Sequence, residues 1–158
     1  MRVLIDTNVL VDYLSYREPY ARQAMEILAL SKERQIQANM AAHSVPNIFY
    51  ILRKDFTADE LRKILLSLCE FLFIAGIGSN QVIASLENAD FLDFEDCLQA
   101  ECAKVCNADY IVTRNCADFR ESTIPALEPP DFLALIRSKE DKPHGIEVQD
   151  GTAHSKRT

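Results

Sequence analysis

The sequence lacks the features that mark membrane, secreted and generally nucleic-acid-binding proteins. Its longest apolar stretch, 64–77, is interrupted by Ser67, Glu70 and Gly76 and is too short to span a bilayer, so we expect no membrane association. Met1 leads directly into a predicted strand, which predicts a cytoplasmic protein without a secretory signal. The 17 basic residues are outnumbered by 24 acidic ones, and this net charge of −7 argues against non-specific binding to nucleic acid, which needs a basic surface.

Cysteine pairs with the spacing of a zinc or redox motif are also absent. The chain has 5 cysteines, and none form a C-x-x-C pair. Cys102 and Cys106 share one predicted helix face, which leaves a tetrahedral zinc site as an alternative to buried thiols that pack as small apolar side chains. An odd number of cysteines in a cytosolic protein fits reduced thiols.

The residues that are present suit one α/β domain. The chain has 158 residues and is 48% hydrophobic, enough for one sizeable core. Short apolar segments alternate with segments of helical periodicity, which predicts a parallel sheet with right-handed crossovers. The predicted strands are 3–5, 36–40, 73–77, 110–113 and 124–127. The predicted helices are 8–15, a helix started by Pro19, 46–52, a helix capped by Thr57 and Glu60, 80–86, 93–105 and 131–137. The segment 139–158 lacks Leu, Phe and Tyr and is predicted to be a polar tail.

The first predicted strand ends in a carboxylate. Val3, Leu4 and Ile5 form an apolar run typical of a buried parallel strand, and Asp6 follows it. An acid at the C-terminal end of such a strand lies at the edge where open α/β sheets bind ligands. The alternative is that Asp6 only caps the following helix.

Two further acids occur in corresponding positions. Asp96 lies near the start of the helix predicted over 93–105, and Asp118 follows the strand predicted over 110–113. A parallel sheet brings the C-termini of strands and the N-termini of helices to one edge. The carboxylates of Asp6, Asp96 and Asp118 can therefore converge in one cleft.

Purely structural roles are open for several acids. Asp93 is expected to be the N-cap of its helix, with Asp96 at the third helical position reaching back to it. Glu95 would then be a favourable charge in the first turn of that helix. Asp118 could end a turn. Four other acids are predicted to lie on the solvated surface, namely Asp12, Glu87, Asp90 and Glu101.

Converging carboxylates point to a hard divalent cation. They repel and raise each other's pKa unless a cation neutralises them. Oxygen ligands without histidine or thiolate suit Mg²⁺ or Mn²⁺. Such ions polarise a phosphoryl oxygen and activate water, and paired ions clamp an in-line displacement. The pattern therefore predicts hydrolysis of phosphodiester bonds.

Three short segments that each contain candidate site residues occur in a fixed order along the chain. They are 3–10 (VLIDTNVL), 93–100 (DFEDCLQA) and 111–119 (IVTRNCADF), and with the closing 129–133 (PPDFL) they make the chain resemble the PIN domain family over roughly 1–137. The resemblance implies a three-layer α/β/α domain over 1–138, with a central parallel sheet of four to five strands flanked by helices. It also implies a metal-dependent ribonuclease. Many small bacterial members resemble VapC-type toxins, each inhibited by an antitoxin.

The resemblance carries the family's site onto residues of this chain. Asp6 matches the first family acid and Asp96 the third. Asn115 and Asp118 match the last pair of acidic positions, with an amide at 115 where many members have Asp. The remaining expected roles are orientation of the metal ligands by Thr113 and Asn8, and contact with a phosphate of the RNA substrate by Arg114.

The second family acid is replaced. It is usually a Glu in a Ser-x-x-Glu helix, and here that segment reads Ser44-Val45-Pro46-Asn47. An amide can ligate a hard cation through its carbonyl oxygen, but it brings no charge. We therefore expect Asn47 to be a weaker ligand, and Asn47→Glu to tighten metal binding.

Three functions compete. The first is a metal-dependent endoribonuclease that acts as the toxin of a toxin–antitoxin pair. The second is a catalytically degenerate PIN domain that binds RNA or protein, which Asn47 and Asn115 favour. The third, a phosphotransfer enzyme of the haloacid-dehalogenase kind, needs a second Asp at position 8, where this chain has Asn. An apolar patch on the N-terminal helices is expected to bind an antitoxin or a second copy of the chain in a homodimer. Its residues are Leu10, Tyr13, Leu14, Tyr16 and Tyr20.

Overall fold

The computed structural model describes residues 1–140 as an alternation of strands and helices. The strands are β1 (Arg2–Ile5), β2 (Gln37–Ala41), β3 (Phe73–Ala75), β4 (Tyr110–Val112) and β5 (Ala126–Leu127). The helices are α1 (Thr7–Leu14), α2 (Ala21–Lys32), α3 (Ser44–Leu52), α4 (Ala58–Leu68), α5 (Ser79–Glu87), α6 (Phe94–Val105) and α7 (Pro129–Glu140). A short 3₁₀ helix, Cys116–Phe119, follows β4.

The strands form one parallel sheet in the order β3-β2-β1-β4-β5. The first strand is therefore central: Leu4 lies opposite Asn39 of β2 on one side and Ile111 of β4 on the other. This confirms the predicted parallel sheet, and it places Asp6 in the middle of the C-terminal edge.

Helices cover both faces of the sheet, which confirms the three-layer α/β/α fold. Successive side chains of a strand point to opposite faces. Val3 and Ile5 accordingly belong to one core, which helices α1, α2, α3, α4 and α7 complete. Leu4 belongs to a second core, which α6 and the 3₁₀ helix complete through residues such as Cys102 and Phe119.

Local signals in the sequence place most element ends within a few residues. The predicted capping box at the start of α4 is present: Thr57 Oγ1 accepts from the backbone N of Glu60 at 3.3 Å, and the Glu60 carboxylate accepts from the backbone N of Thr57 at 2.7 Å. Strand β3 ends at Ala75, before the predicted residue 77, and α2 starts at Ala21 rather than at Pro19. The last helix runs to Glu140, so the predicted tail begins inside it and from 141 lies outside the described residues.

The five cysteines of the described chain are free thiols, and two of them belong to the core. Cys97 and Cys102 are buried, and burial raises the pKa of the Cys102 thiol to about 12. Within 1–140, none of the cysteines belongs to a cluster of three or more potential metal ligands. In the same part of the chain, no helix has the length and apolar character needed to cross a membrane.

Candidate metal centre

Asp6 is buried at the central edge of the sheet and held by side chains from three elements. It is 4% exposed. Its Oδ2 accepts hydrogen bonds from Asn8 Nδ2 and from Thr113 Oγ1, both at 2.7 Å. Its Oδ1 accepts from Gln99 Nε2 at 3.3 Å. Thr113 and Asn8, the expected orienting residues, thus contact the carboxylate that they were expected to orient.

Burial makes the charged form of Asp6 costly. Its pKa is raised to about 6, chiefly by desolvation; the hydrogen bond from Thr113 opposes the increase, and the nearby charge of Glu95 adds to it. A buried carboxylate with a raised pKa is relieved by a cation placed against it. Asp6 occupies the N-cap position of α1, but its side chain makes no capping hydrogen bond there, so its carboxylate is directed mainly at Asn8, Thr113 and Gln99.

Asp96 is the acid whose pKa is raised by the largest number of neighbouring charges. Its pKa is raised to about 7, chiefly by burial and also by the charges of Asp6, Asp93, Asp118 and Glu95. Four acids on β1, α6 and the segment after β4 therefore face Asp96 electrostatically. Within 1–140, however, the group of carboxylates whose oxygens lie within 4.8 Å of one another contains Asp96 but neither Asp6 nor Asp118, so their direct convergence on one ion stays a prediction.

The tightest acidic cluster at this edge is formed by α6 itself. One carboxylate oxygen each from Asp93, Glu95 and Asp96 lies within 4.8 Å of the others. Asp93 also caps the helix as expected, because its Oδ1 accepts from the backbone N of Glu95 at 2.8 Å and of Asp96 at 3.3 Å. The candidate ligands of this cluster are all carboxylate oxygens, and the charges of Asp6 and Asp96 have no cation beside them within the described residues. Such a set of ligands fits a hard divalent ion such as Mg²⁺ or Mn²⁺.

Gln99 is a site residue that sequence reasoning missed. It is fully buried, and its Nε2 lies 2.9 Å from Thr7 Oγ1, 3.2 Å from Ser44 Oγ and 3.4 Å from Glu95 Oε1, in addition to Asp6. One amide therefore joins β1, α3 and α6 beneath the acids. The sequence signal for this role was a glutamine on an otherwise apolar helix face, three residues after Asp96.

Asn47 points its amide nitrogen at an acid. Asn47 Nδ2 donates to Glu95 Oε1 at 3.2 Å, and His43 Nε2 lies 3.3 Å from the same oxygen. These contacts lower the pKa of Glu95, and the close approach of His43 is the largest cause. Glu95 was expected to be only a helix-terminus charge, but it lies within the candidate centre.

Asp118 and Asn115 lie at the exposed side of the edge. Asp118 and Asp93 line the same cavity of about 160 Å³, together with Phe91 and Arg120. Asn115 is exposed, and its backbone N donates to Thr113 Oγ1 at 3.0 Å. Asp118 therefore lies near the N-terminus of α6, across a shared cavity from Asp93.

Arg114 is engaged by an acid that was predicted wrongly. Asp12 was expected on the solvated surface, but it is 1% exposed, and Arg114 Nε lies 2.7 Å from its Oδ2. Burial raises the pKa of Asp12, against the opposing charges of Arg114 and Arg17. The Arg114 guanidinium also lies 4.4 Å from the centre of the Tyr20 ring. Its side chain remains partly exposed beside Asn115, so its predicted phosphate contact stays a prediction.

The residues of the predicted apolar patch divide between core and surface, and Tyr16 and Tyr20 lie in the segment between α1 and α2 rather than in a helix. Leu10 is fully buried, whereas Tyr16 is 70% and Tyr20 39% exposed. Tyr13, Leu14 and Tyr16 border a groove of about 670 Å³, whose other wall includes Phe56 and Ile64. Part of the predicted patch is therefore available at the surface between α1 and α4.

The geometry and the motifs lead to a known family. The sequence profile described as "PIN domain" matches residues 2–117. The chain belongs to the PIN domain family. A search of curated protein sequences found no match. The haloacid-dehalogenase alternative is set aside by this membership.

Solved structures support the fold of this PIN domain. A toxin–antitoxin complex from Klebsiella pneumoniae is similar at a TM-score of 0.61 and 22% identity, over 80% of this chain and 97% of that one. VapBC2 from Rickettsia felis, bound to a DNA fragment from its promoter, has a TM-score of 0.60 and 17% identity, over 81% and 98%. FitAcB from Neisseria gonorrhoeae has a TM-score of 0.56 and 15% identity, over 80% and 97%.

Proposed function

We propose that this PIN domain is a metal-dependent endoribonuclease and the toxin of a toxin–antitoxin pair. The observation that carries the proposal is the group of acids at the C-terminal edge of a PIN-type sheet. Asp96 stands at its centre, and the charges of Asp6, Asp93, Glu95 and Asp118 act on it. The site lies where open α/β sheets bind their ligands.

The residues present fit Mg²⁺ or Mn²⁺. Asp6, Asp96 and Asp118 are the proposed principal ligands, and Asn115 and Asn47 are proposed as weaker or water-mediated ones. When bound, such an ion polarises a phosphoryl oxygen and lowers the pKa of a water molecule. Thr113 and Asn8 both donate hydrogen bonds to Oδ2 of Asp6. These bonds orient the Asp6 carboxylate in the absence of a ligand.

The remaining groups of the site would position the RNA. Arg114 is anchored by Asp12 and lies next to Asn115, so its free guanidinium edge can meet a backbone phosphate beside the acids. A local cation of this kind is compatible with the overall charge of −7, because it acts only at the cleft. The expected cellular location of this reaction is the cytoplasm.

An antitoxin is the proposed partner. The similar structures from Klebsiella pneumoniae and Rickettsia felis are toxin–antitoxin assemblies. In this chain, the groove between α1 and α4 offers Tyr13, Leu14, Tyr16, Phe56 and Ile64 to an apolar helix face. A second copy of the chain, giving a homodimer, is the alternative occupant.

The direct test is cleavage of a labelled RNA pool by the purified protein. We expect cleavage with Mn²⁺, none with EDTA, and none by Asp6→Asn in either condition. Glu87→Gln, a change of the same kind at an exposed site on α5, serves as the matched control and should cut like the wild type.

One outcome favours the degenerate binding module instead. The amides Asn47 and Asn115 occupy two positions at which family members carry acids, which lowers the charge available for a cation. If the wild type binds the RNA pool without cutting at every Mn²⁺ concentration, the catalytic proposal fails and the binding module replaces it.

A further inference from the structure

The carboxylate of Glu95 is held from one side only. Asn47 Nδ2, His43 Nε2 and Gln99 Nε2 approach it at 3.2, 3.3 and 3.4 Å, and all three point to Oε1. The two hydrogen-bond donors, Asn47 and Gln99, come from α3 and from α6 itself, and His43 approaches from the residue before α3 without a hydrogen bond within the described chain. Such convergence fixes the side chain and leaves Oε2 for another ligand.

The direction in which Glu95 is held is toward the other acids. An oxygen of Glu95 lies within 4.8 Å of an oxygen of Asp96 and of one of Asp93. Gln99 Nε2 bridges Glu95 Oε1 at 3.4 Å and Asp6 Oδ1 at 3.3 Å. Glu95 is thus connected to both family acids that this chain retains from β1 and α6.

The hydrogen bond of Asn47 explains the replaced acid. Asn47 stands at the position of the second family acid, and its Nδ2 donates to Glu95. A Glu at that position would set a second carboxylate against Oε1, without a hydrogen to donate. The amide therefore suits a neighbour that is already a carboxylate.

A separate observation concerns the amide of Gln99. Gln99 is fully buried, and its Oε1 has no hydrogen-bond donor within the described chain, whereas its Nε2 is the atom that contacts Asp6 and Glu95. A buried acceptor without a partner costs about 1–3 kcal/mol. The amide therefore directs its donor to the two carboxylates while its own acceptor stays unpaired, which favours carboxylates held at this place.

We propose that Glu95 provides the carboxylate that the second family position lacks, and that Asn47 is a positioning residue that holds it. This inference rests on the proposed metal-dependent function. The role of Glu95 reverses the sequence-based expectation that Asn47→Glu tightens metal binding. With Glu95 present, Asn47→Glu should weaken Mn²⁺ binding or leave it unchanged, because two carboxylates then face each other.

The test is calorimetric titration of the intact chain with MnCl₂ alone, at pH 7.5. Glu95→Gln should weaken Mn²⁺ binding by at least about tenfold, the lower end of the loss seen when even outer-shell partners of metal ligands are removed. Glu95→Gln combined with Asn47→Glu should regain most of that loss, because the carboxylate then comes from α3. Glu101→Gln, on the same helix beside Lys104, is the matched control and should bind like the wild type.

Stabilisation by Mn²⁺ separates a ligand from a structural group. The contacts that lower the pKa of Glu95 make its charge favourable in the folded state, so Glu95→Gln should lose some stability in EDTA whichever role Glu95 has. If Glu95 serves the ion, the variant should also lose most of the gain in unfolding free energy that Mn²⁺ gives the wild type. An unchanged gain in the variant would show that Glu95 only pairs with its neighbours, and the inference would be overturned.

The remaining outcomes are distinguishable. Loss of Mn²⁺ binding in Asp6→Asn with unchanged binding in Glu95→Gln overturns the role of Glu95 and leaves the proposed function standing. Failure of the double variant to regain affinity, or tighter binding by Asn47→Glu alone, also overturns it. Absence of Mn²⁺ binding by the wild type removes both the inference and the proposed function.

Discussion

Removal of the Asp6 charge should stabilise the metal-free protein while it abolishes function. Asp6 is 4% exposed, and its pKa lies at about 6 instead of the ordinary 3.8. A shift of this size corresponds to about 3 kcal/mol of disfavoured ionisation in the folded state. Asp6→Asn removes that cost and keeps the shape of the side chain.

The hydrogen bonds of Asp6 limit the gain. The introduced amide oxygen can still accept from Asn8 and Thr113, as Asp6 Oδ2 does. The introduced amide nitrogen would face Gln99 Nε2, but rotation of the Gln99 amide presents Oε1, which has no donor within 1–140. We therefore expect a net gain of about 1–3 kcal/mol at pH 8, since a rearranged neutral hydrogen bond is worth about 1 kcal/mol.

The sign of the pH dependence follows from the direction of the shift. The folded state holds the Asp6 proton more tightly than the unfolded state, so wild-type stability falls as the pH rises from about 4 through about 6. Asp6→Asn has no such proton, so its advantage should be full at pH 8 and absent at pH 4. For a domain of this size, the gain at pH 8 amounts to roughly 2–12 °C in Tm.

Urea denaturation in EDTA at pH 4 and pH 8 measures this difference. The expected result is an unfolding free energy of Asp6→Asn that exceeds the wild type only at the higher pH. Equal destabilisation of the variant at both pH values would show that Asp6 is held by its hydrogen bonds and carries no unrelieved charge, which refutes the electrostatic reasoning.

Two further predictions concern metal binding and the Arg114 contact. Mn²⁺ at about 100 times its Kd should stabilise the wild type by about 2.7 kcal/mol at pH 8. It should do so much less at pH 5.5, because Asp6 and Asp96, with pKa values of about 6 and about 7, must lose protons to bind it; equal shifts in thermal melts at both pH values would contradict this. Arg114→Ala should cost about 3 kcal/mol in urea unfolding, because it leaves the buried Asp12 without its 2.7 Å partner. Addition of Asp12→Asn should recover part of that loss, and purely additive losses would refute the pairing.

The sequence predicts those parts of the fold that local patterns decide. The apolar run ending at Asp6, the alternation of strands and helices, and the Thr57–Glu60 capping box each depend on residues close in the chain. Element ends were less predictable: Pro19 suits a helix start, yet α2 begins at Ala21.

The site was harder to predict wherever a residue depends on a distant partner. In the sequence, Asp12 is indistinguishable from an acid on the surface of a helix. Its burial depends on the ion pair with Arg114, which is distant in the chain. Glu95 resembles a helix-terminus charge until α3 brings Asn47 and His43 against it. Gln99 carries no charge, so its role emerges only where β1, α3 and α6 meet.

The central claim is that the acids at this sheet edge bind a divalent ion. Anomalous diffraction from crystals soaked in MnCl₂ locates Mn²⁺ directly. The account predicts a peak at about 2.0–2.6 Å from carboxylate oxygens of Asp6 and Asp96, the range of direct bonds from hard ions to oxygen. A well-ordered, Mn²⁺-saturated crystal with no peak at these acids, or with Mn²⁺ bound elsewhere, would contradict it.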